Sequence, residues 1–171
     1  EVNHITPDGK TMLLSRRLVS PTFFKMFNIE LEEGALPEDK NKRCYVVNRA
    51  AMKALGYSSL EGATVVEESD YRRNNNVAFH PITAIAKDYY NGHLSAGVKP
   101  TIYEIDNFGR ESTYIAYPEG KLPNLLNYLK EMMQEFYGTE TVEYTLLEDD
   151  VKALYKEDRK IASIYNIFAM I

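Results

Sequence analysis

Tryptophan is absent from this 171-residue chain, cysteine occurs once and histidine three times. The single Cys44 excludes an internal disulfide and any multi-cysteine metal site. Within Cys44-Tyr45-Val46-Val47 it reads as a small apolar residue of a buried strand. His4, His80 and His93 are scattered, and none has a His, Cys or carboxylate at recognised ligand spacing, so no metal is expected. The G-x-S-x-G, Walker and G-x-G-x-x-G patterns are missing, and with them the usual scaffolds for nucleophilic catalysis and phosphate cradling. Neither a cofactor nor an enzymatic activity is expected.

Positive charge is short too. The net charge of −5 argues against a nucleic-acid partner, which clustered Lys and Arg would have to hold. The basic spots Lys40 to Arg43 and Arg72-Arg73 are diluted by nearby acids. No signal peptide is visible and Glu1 is not preceded by Met, so the sequence reads as a piece excised from a longer protein. No apolar run reaches the roughly 20 residues that cross a bilayer.

What is present is ordinary globular composition, 44% hydrophobic and 26% charged, enough for one domain or two small lobes. Pro7-Asp8-Gly9-Lys10 predicts a turn joining two hairpin strands, the second being Thr11 to Val19. Ser20-Pro21 opens a short helix with an aromatic face of Phe23, Phe24, Met26 and Phe27, more in keeping with a core than with a ligand pocket. Ile29 and Leu31 alternate with Glu30 and Glu32 as a short strand. Cys44 to Val47 is a strand, Asn48 caps a helix over Arg49 to Leu55, and Gly56 ends it. Strands are expected at Ala63 to Glu67, Val77 to Ile85 and Thr101 to Ile105. The polar run from Glu68 to Asn76 reads as an exposed hairpin tip, and Pro81 as an edge or bulge.

From Ser112 the rhythm changes. Tyr114 to Tyr117 and Thr141 to Leu147 are strand candidates, and between them Leu122, Leu125, Leu126, Leu129, Met132, Met133 and Phe136 form one apolar helical stripe closed by Gly138. The fold class expected is α+β with two lobes. One, over 1–110, is a mixed β-rich lobe with short helices; the other, over 111–155, is a ferredoxin-like βαβα half.

Residues 151–171 form the last helix. Asp149 and Asp150 are placed to cap it, and its charged first half gives way to Ile161-Ala-Ser-Ile-Tyr-Asn-Ile-Phe-Ala-Met-Ile171, which carries no charge. That gradient, with Ile161, Ile164 and Phe168 on the apolar part, suits a helix about to enter a membrane. A terminal helix docked on its own core is the alternative. Glu148, Asp149 and Asp150 could serve as an acid/base or cation site, but acids at a helix start also offset its dipole, which is the better reading. Tyr89, Tyr90, Asn91 and His93, around Gly92, form a loop whose aromatics suit either contact with a partner or simple packing.

Four motifs in order carry a resemblance. Leu18-Val-Ser-Pro-Thr-Phe-Phe-Lys-Met-Phe-Asn-Ile29, Glu33-Gly34, and Val46-Val-Asn-Arg-Ala-Ala-Met-Lys-Ala-Leu-Gly56 resemble the MacB-like periplasmic core domain. Ile82 to Tyr90 with Asn91-Gly92-His93-Leu94 is similar to that family's strand and loop, with Ala84 where the family has Gly. Tyr155-Lys-Glu-Asp-Arg-Lys160, running into Ile164 and Phe168, resembles the segment preceding a transmembrane helix in FtsX-like ABC transporter permeases of the Bacteroidetes type. The resemblance implies a lobe called Sabre over 11–109 and the second half of a lobe called Porter from 112 to about 155. The first strand-helix-strand unit of Porter, expected before Sabre, is missing.

It also implies a non-catalytic role on the periplasmic side of the bacterial inner membrane, within an integral membrane protein. The implied partners are a cytoplasmic ATP-binding subunit, a second permease chain in a homodimer or heterodimer, and a periplasmic or outer-membrane protein. A membrane-tethered or soluble sensor that binds a ligand near Tyr89 to His93 is the alternative from another class.

Overall fold

Among the described residues, seven strands alternate with short helices in the first two thirds of the chain, and two helices follow. The structure is a computed structural model that describes residues 1–36, 44–74, 77–90, 94–105 and 113–156. It divides into two compact units, Glu1–Thr113 and Tyr114–Ile171.

In the first unit, β1 (Val2–Ile5) and β2 (Thr11–Val19) form the expected antiparallel hairpin. Its turn is closed by Thr6 N–H to Lys10 O at 3.0 Å and Gly9 N–H to Thr6 O at 2.8 Å. The helix α1 (Phe23–Met26) follows, but its N-cap is Thr22 with no side-chain cap, two residues later than Ser20-Pro21 suggested. Next come β3 (Leu31–Gly34) and β4 (Tyr45–Asn48). Cys44 is buried just ahead of β4, as its apolar surroundings predict. The helix α2 (Arg49–Leu55) has the bounds its sequence predicts: the Asn48 side chain accepts from Ala51 N–H at 3.0 Å, and Gly56 stops the helix at φ 89°.

After β5 (Thr64–Glu67) the chain forms a helix, α3 (Glu68–Arg73), where a hairpin tip was expected. The reason is charge order. Glu68 and Asp70 lie in its first turn and Arg72 and Arg73 in its last, complementing the helix dipole, and Arg72 pairs with Glu68 one turn away. The strands β6 (His80–Ala86) and β7 (Thr101–Ile105) complete the set, with a 3-10 turn at Leu94–Ala96 between them.

The strands pair in the order β3-β6-β4-β7-β2-β1-β5, and β5 returns to pair with β6. Six strands therefore close into a ring, with β3 laid beside the far end of β6. Closure leaves β6 no free edge. It carries β4 on one side and β5 then β3 on the other. Pro81 sits second in β6, where a proline is tolerated, and the irregularity in the pairing with β4 lies just beyond it, between Ile82 and Ala84. Gly34 is needed where β3 crosses β6: its φ is +77°, and an added Cβ would lie 2.1 Å from Thr83 O.

Two cores result. Leu14, Tyr45, Val47, Val65, Ile82, Ile85 and Ile102 come from strands all around the ring and fill its interior, with Ala51, Met52 and Leu55 of α2 packed among them. Val19, Val46, Ala84, Ala86 and Tyr103 form a second layer on the other face of β2, β7, β4 and β6, covered by Phe24 of α1. Fully burying a side chain of this size stabilises by about 1.5–3 kcal/mol, so the ring is held chiefly by its filling.

In the second unit α4 (Leu122–Tyr137) is the expected helix, with Gly138 in the left-handed region at φ 69°. The helix α5 (Leu147–Leu154) begins earlier than expected, with Leu146 as N-cap and Glu148, Asp149 and Asp150 in its first turn rather than capping it. The ferredoxin-like half is corrected here. Residues 114–117 and 141–146 are not strands, and the described residues of this unit contain helices only. A strand exists only when a neighbour accepts its ladder, and neither segment has one. Residues 157–171, with Ile161, Ile164 and Phe168, lie outside the described residues. Among the described ones no helix is long and apolar enough to cross a membrane.

Candidate functional site

The ring presents polar side chains in two places that its apolar cores do not explain. Adjacent residues of β2 point to opposite faces, so Arg16 and Arg17 fall on different layers. Each meets a different environment.

Arg16 turns toward the ring's interior side. Its guanidinium pairs with Glu104 of β7 at 2.5 Å and with Glu67 of β5 at 3.4 Å, tying strands from separate parts of the ring. His4 of β1 lies beside this group with no exposed surface. The His4 Nδ1 is 3.1 Å from Val2 O, and its ring stands edge-on to Tyr45 at 5.9 Å, while Tyr45 meets His80 at 6.1 Å. Burial pushes the His4 pKa below its ordinary 6.5; the Val2 carbonyl, Glu67 and Glu104 pull the other way and Arg16 adds to the lowering. The imidazole is therefore held neutral. Among the described residues no three His, Cys, Asp or Glu side chains are grouped to hold a metal ion.

Arg17 lies on the second layer. Register places it beside Tyr103, Tyr103 beside Val46, and Val46 beside Ala84, one row across four strands. The Tyr103 ring is enclosed by Phe24 at 5.2 Å and Phe23 at 6.0 Å, and Tyr89 packs against the same layer. Burial, and next the phenol of Tyr89, push the Tyr103 pKa far above the ordinary 10.0, whereas the Arg17 charge pulls it down.

Of the loop expected to meet a partner, Tyr89 is thus half-buried in this layer and Tyr90 is exposed, while Asn91 and His93 lie outside the described residues. Glu148, Asp149 and Asp150 lie together in the first turn of α5, where Glu148 pairs with Lys152 at 2.8 Å. The exposed Lys152 holds the Glu148 carboxyl below its ordinary value. Sequence reasoning missed Arg16, Arg17 and Tyr103. The available signal was two adjacent arginines inside an otherwise alternating strand, which must send one cation to each face.

No protein-family profile matches the chain, and no curated protein sequence does. Solved structures do. A domain of a protein assigned as a permease from Porphyromonas gingivalis aligns with TM-score 0.57 and 16% identity, over 78% of this chain and 64% of that one. The extracellular domain of the noncanonic ABC-type transporter YknZ from Gram-positive bacteria aligns with TM-score 0.56 and 10% identity, over 81% and 72%. The periplasmic region of MacB from Actinobacillus actinomycetemcomitans aligns at 0.49, with 14% identity, over 81% and 64%. The chain thus spans less than two thirds of the Porphyromonas domain it matches. The first two likenesses establish the fold, one shared with a domain of a permease protein and with the extracellular domain of an ABC-type transporter, in agreement with the resemblance carried by the sequence motifs.

Proposed function

We propose that this chain is the extracytoplasmic domain of an ABC-type permease on the periplasmic side of a bacterial inner membrane. It catalyses no reaction itself. It couples ATP hydrolysis on a separate cytoplasmic subunit, through transmembrane helices, to export or to mechanical work on envelope partners. The observation that supports this reading is the fold likeness to a domain of a permease protein and to the extracellular domain of an ABC-type transporter, at TM-scores of 0.57 and 0.56.

The physical argument is one of stiffness. A closed ring of strands around a filled interior moves as a rigid body, because its interior has no slack to absorb strain. The uncharged run from Ile161 through Ile164 and Phe168 to Ile171 suits a segment that would join the ring to a membrane. On the same reading, 1–110 is the Sabre-like lobe. The span 111–155 is half of a Porter-like lobe whose extended segments on either side of α4 await ladder partners from another stretch of a longer chain. A second permease chain and a periplasmic or outer-membrane protein are the partners expected.

The test uses the parent permease in lipid nanodiscs with its ATP-binding subunit. Fluorophores placed on the exposed Leu13 of the ring and in the lipid report the distance between them. A change on adding ATP that is lost with a hydrolysis-dead subunit is the expected result; a distance indifferent to nucleotide overturns the coupling.

A further inference from the structure

The row Arg17–Tyr103 combines two donors that the fold leaves unanswered. Tyr103 has no exposed surface, and its hydroxyl has only the phenol of Tyr89 beside it, short of a well-formed hydrogen bond. The Arg17 Nε is likewise sealed from solvent without an acceptor, and among the described residues no ion pair neutralises its guanidinium. Burying such donors unpaired is unfavourable by about 1–3 kcal/mol each, more for a charged one. Elsewhere in this ring Arg16 is answered by Glu104 and Glu67 and Asn48 by Ala51, Thr101 and Lys99, while the buried His4 Nε2 is a further polar atom with no partner.

The obvious internal acceptor is engaged elsewhere. Asp88, which acts on Tyr103 electrostatically, has its Oδ1 on the Ala50 N–H at the start of α2, 3.1 Å away. What the pair lacks is an acceptor with negative charge and two oxygens, since a guanidinium and a hydroxyl at paired positions of neighbouring strands can both donate to one carboxylate. The aromatic walls of Phe23, Phe24 and Tyr89 around it lower the local dielectric and strengthen such a bond.

We infer that Arg17 and Tyr103, with Tyr89 beside them, form a carboxylate-binding site on the α1-covered face of the ring. The acid is either the side chain of an Asp or Glu on a partner polypeptide or a small organic acid. The site stands whether or not the chain belongs to a permease, because it rests on the side chains of this unit alone.

The test is titration of the whole 171-residue chain, followed through the Arg17 Nε–Hε resonance, with three probes: acetate, the peptide amide Gly-Gly-Asp-Gly, and the same peptide with Asn in place of Asp. A saturable shift with acetate or the Asp peptide, and none with the Asn peptide, is expected. Tighter binding of the Asp peptide than of acetate identifies a polypeptide as the source, and equal binding identifies a small acid. Tyr103→Phe keeps the ring and removes the hydroxyl, and should weaken binding about three- to tenfold. Arg17→Gln should abolish it.

A resonance that drifts linearly with every probe overturns the site. So does a Tyr103→Phe protein that becomes more stable and binds as before, which would mean that the hydroxyl is merely unsatisfied. If Arg17→Gln fails to fold, the Tyr103→Phe and Asn-peptide arms still decide.

Discussion

The helices α2 and α4 were written by the same rules and ended in opposite circumstances. Each has an apolar face at helical spacing and a glycine stop, at Gly56 and Gly138. The seven residues of α2 bury Ala51, Met52 and Leu55, whereas the sixteen of α4 bury none, and Phe136 on its stripe remains 69% exposed. Periodicity decides that a helix forms and which face is apolar. It does not supply the surface that covers that face: within its own unit α2 finds one in the ring's interior, whereas α4 has no buried residue.

The contrast can be pressed by mutation. The largest effect is expected in the ring's interior: Leu14, fully buried between β-strands, should lose about 3 kcal/mol of unfolding free energy as Leu14→Ala in urea titration. Next comes Asn48→Ala, at about 2 kcal/mol, because one buried side chain accepts from Ala51 and Thr101 N–H groups and donates to Lys99 O. The same titration with thermal denaturation checks it.

A smaller effect depends on pH. His4 folds with a pKa below 6.5, so below that pH the unfolded chain takes up a proton that the ring refuses. Stability should be level above about 6.5 and decline as the pH falls through the window beneath it, until the folded imidazole itself titrates. In His4→Gln that limb should flatten. A wild-type profile as flat as the variant's would remove His4 as its cause. The smallest effect is expected for Leu129→Ala on α4, within about 0.5 kcal/mol for unfolding of the ring. A loss like that of Leu14→Ala would show that the α4 stripe is covered, and the contrast between the two regions would disappear.

Much of the ring was legible. The bounds of β2 and β7 and the cap and stop of α2 could be read from alternation, Asn48 and Gly56, since those signals are local. The helix α3 was not, because its charge order is a weak cue beside three consecutive asparagines that suggest a loop. The extended segments around α4 were misread as strands for a different reason: alternation marks a chain that could join a sheet, and only a neighbour makes it one. Of the candidate site, Tyr89 and Tyr90 were singled out as aromatics beside a glycine. Arg17 and Tyr103 are 86 positions apart, and no spacing rule links them.

By itself, then, the sequence determined many of the local elements and which faces are apolar, since these follow from neighbouring residues, and its single cysteine excluded a disulfide within it. The tertiary structure alone decided that six strands close on themselves, because the ring depends on pairings between strands far apart in the chain, β1 with β5 and β2 with β7. It decided equally which of two adjacent arginines is answered by carboxylates and which is left facing a buried hydroxyl, because a strand sends alternate side chains to faces whose contents are brought there from distant parts of the chain.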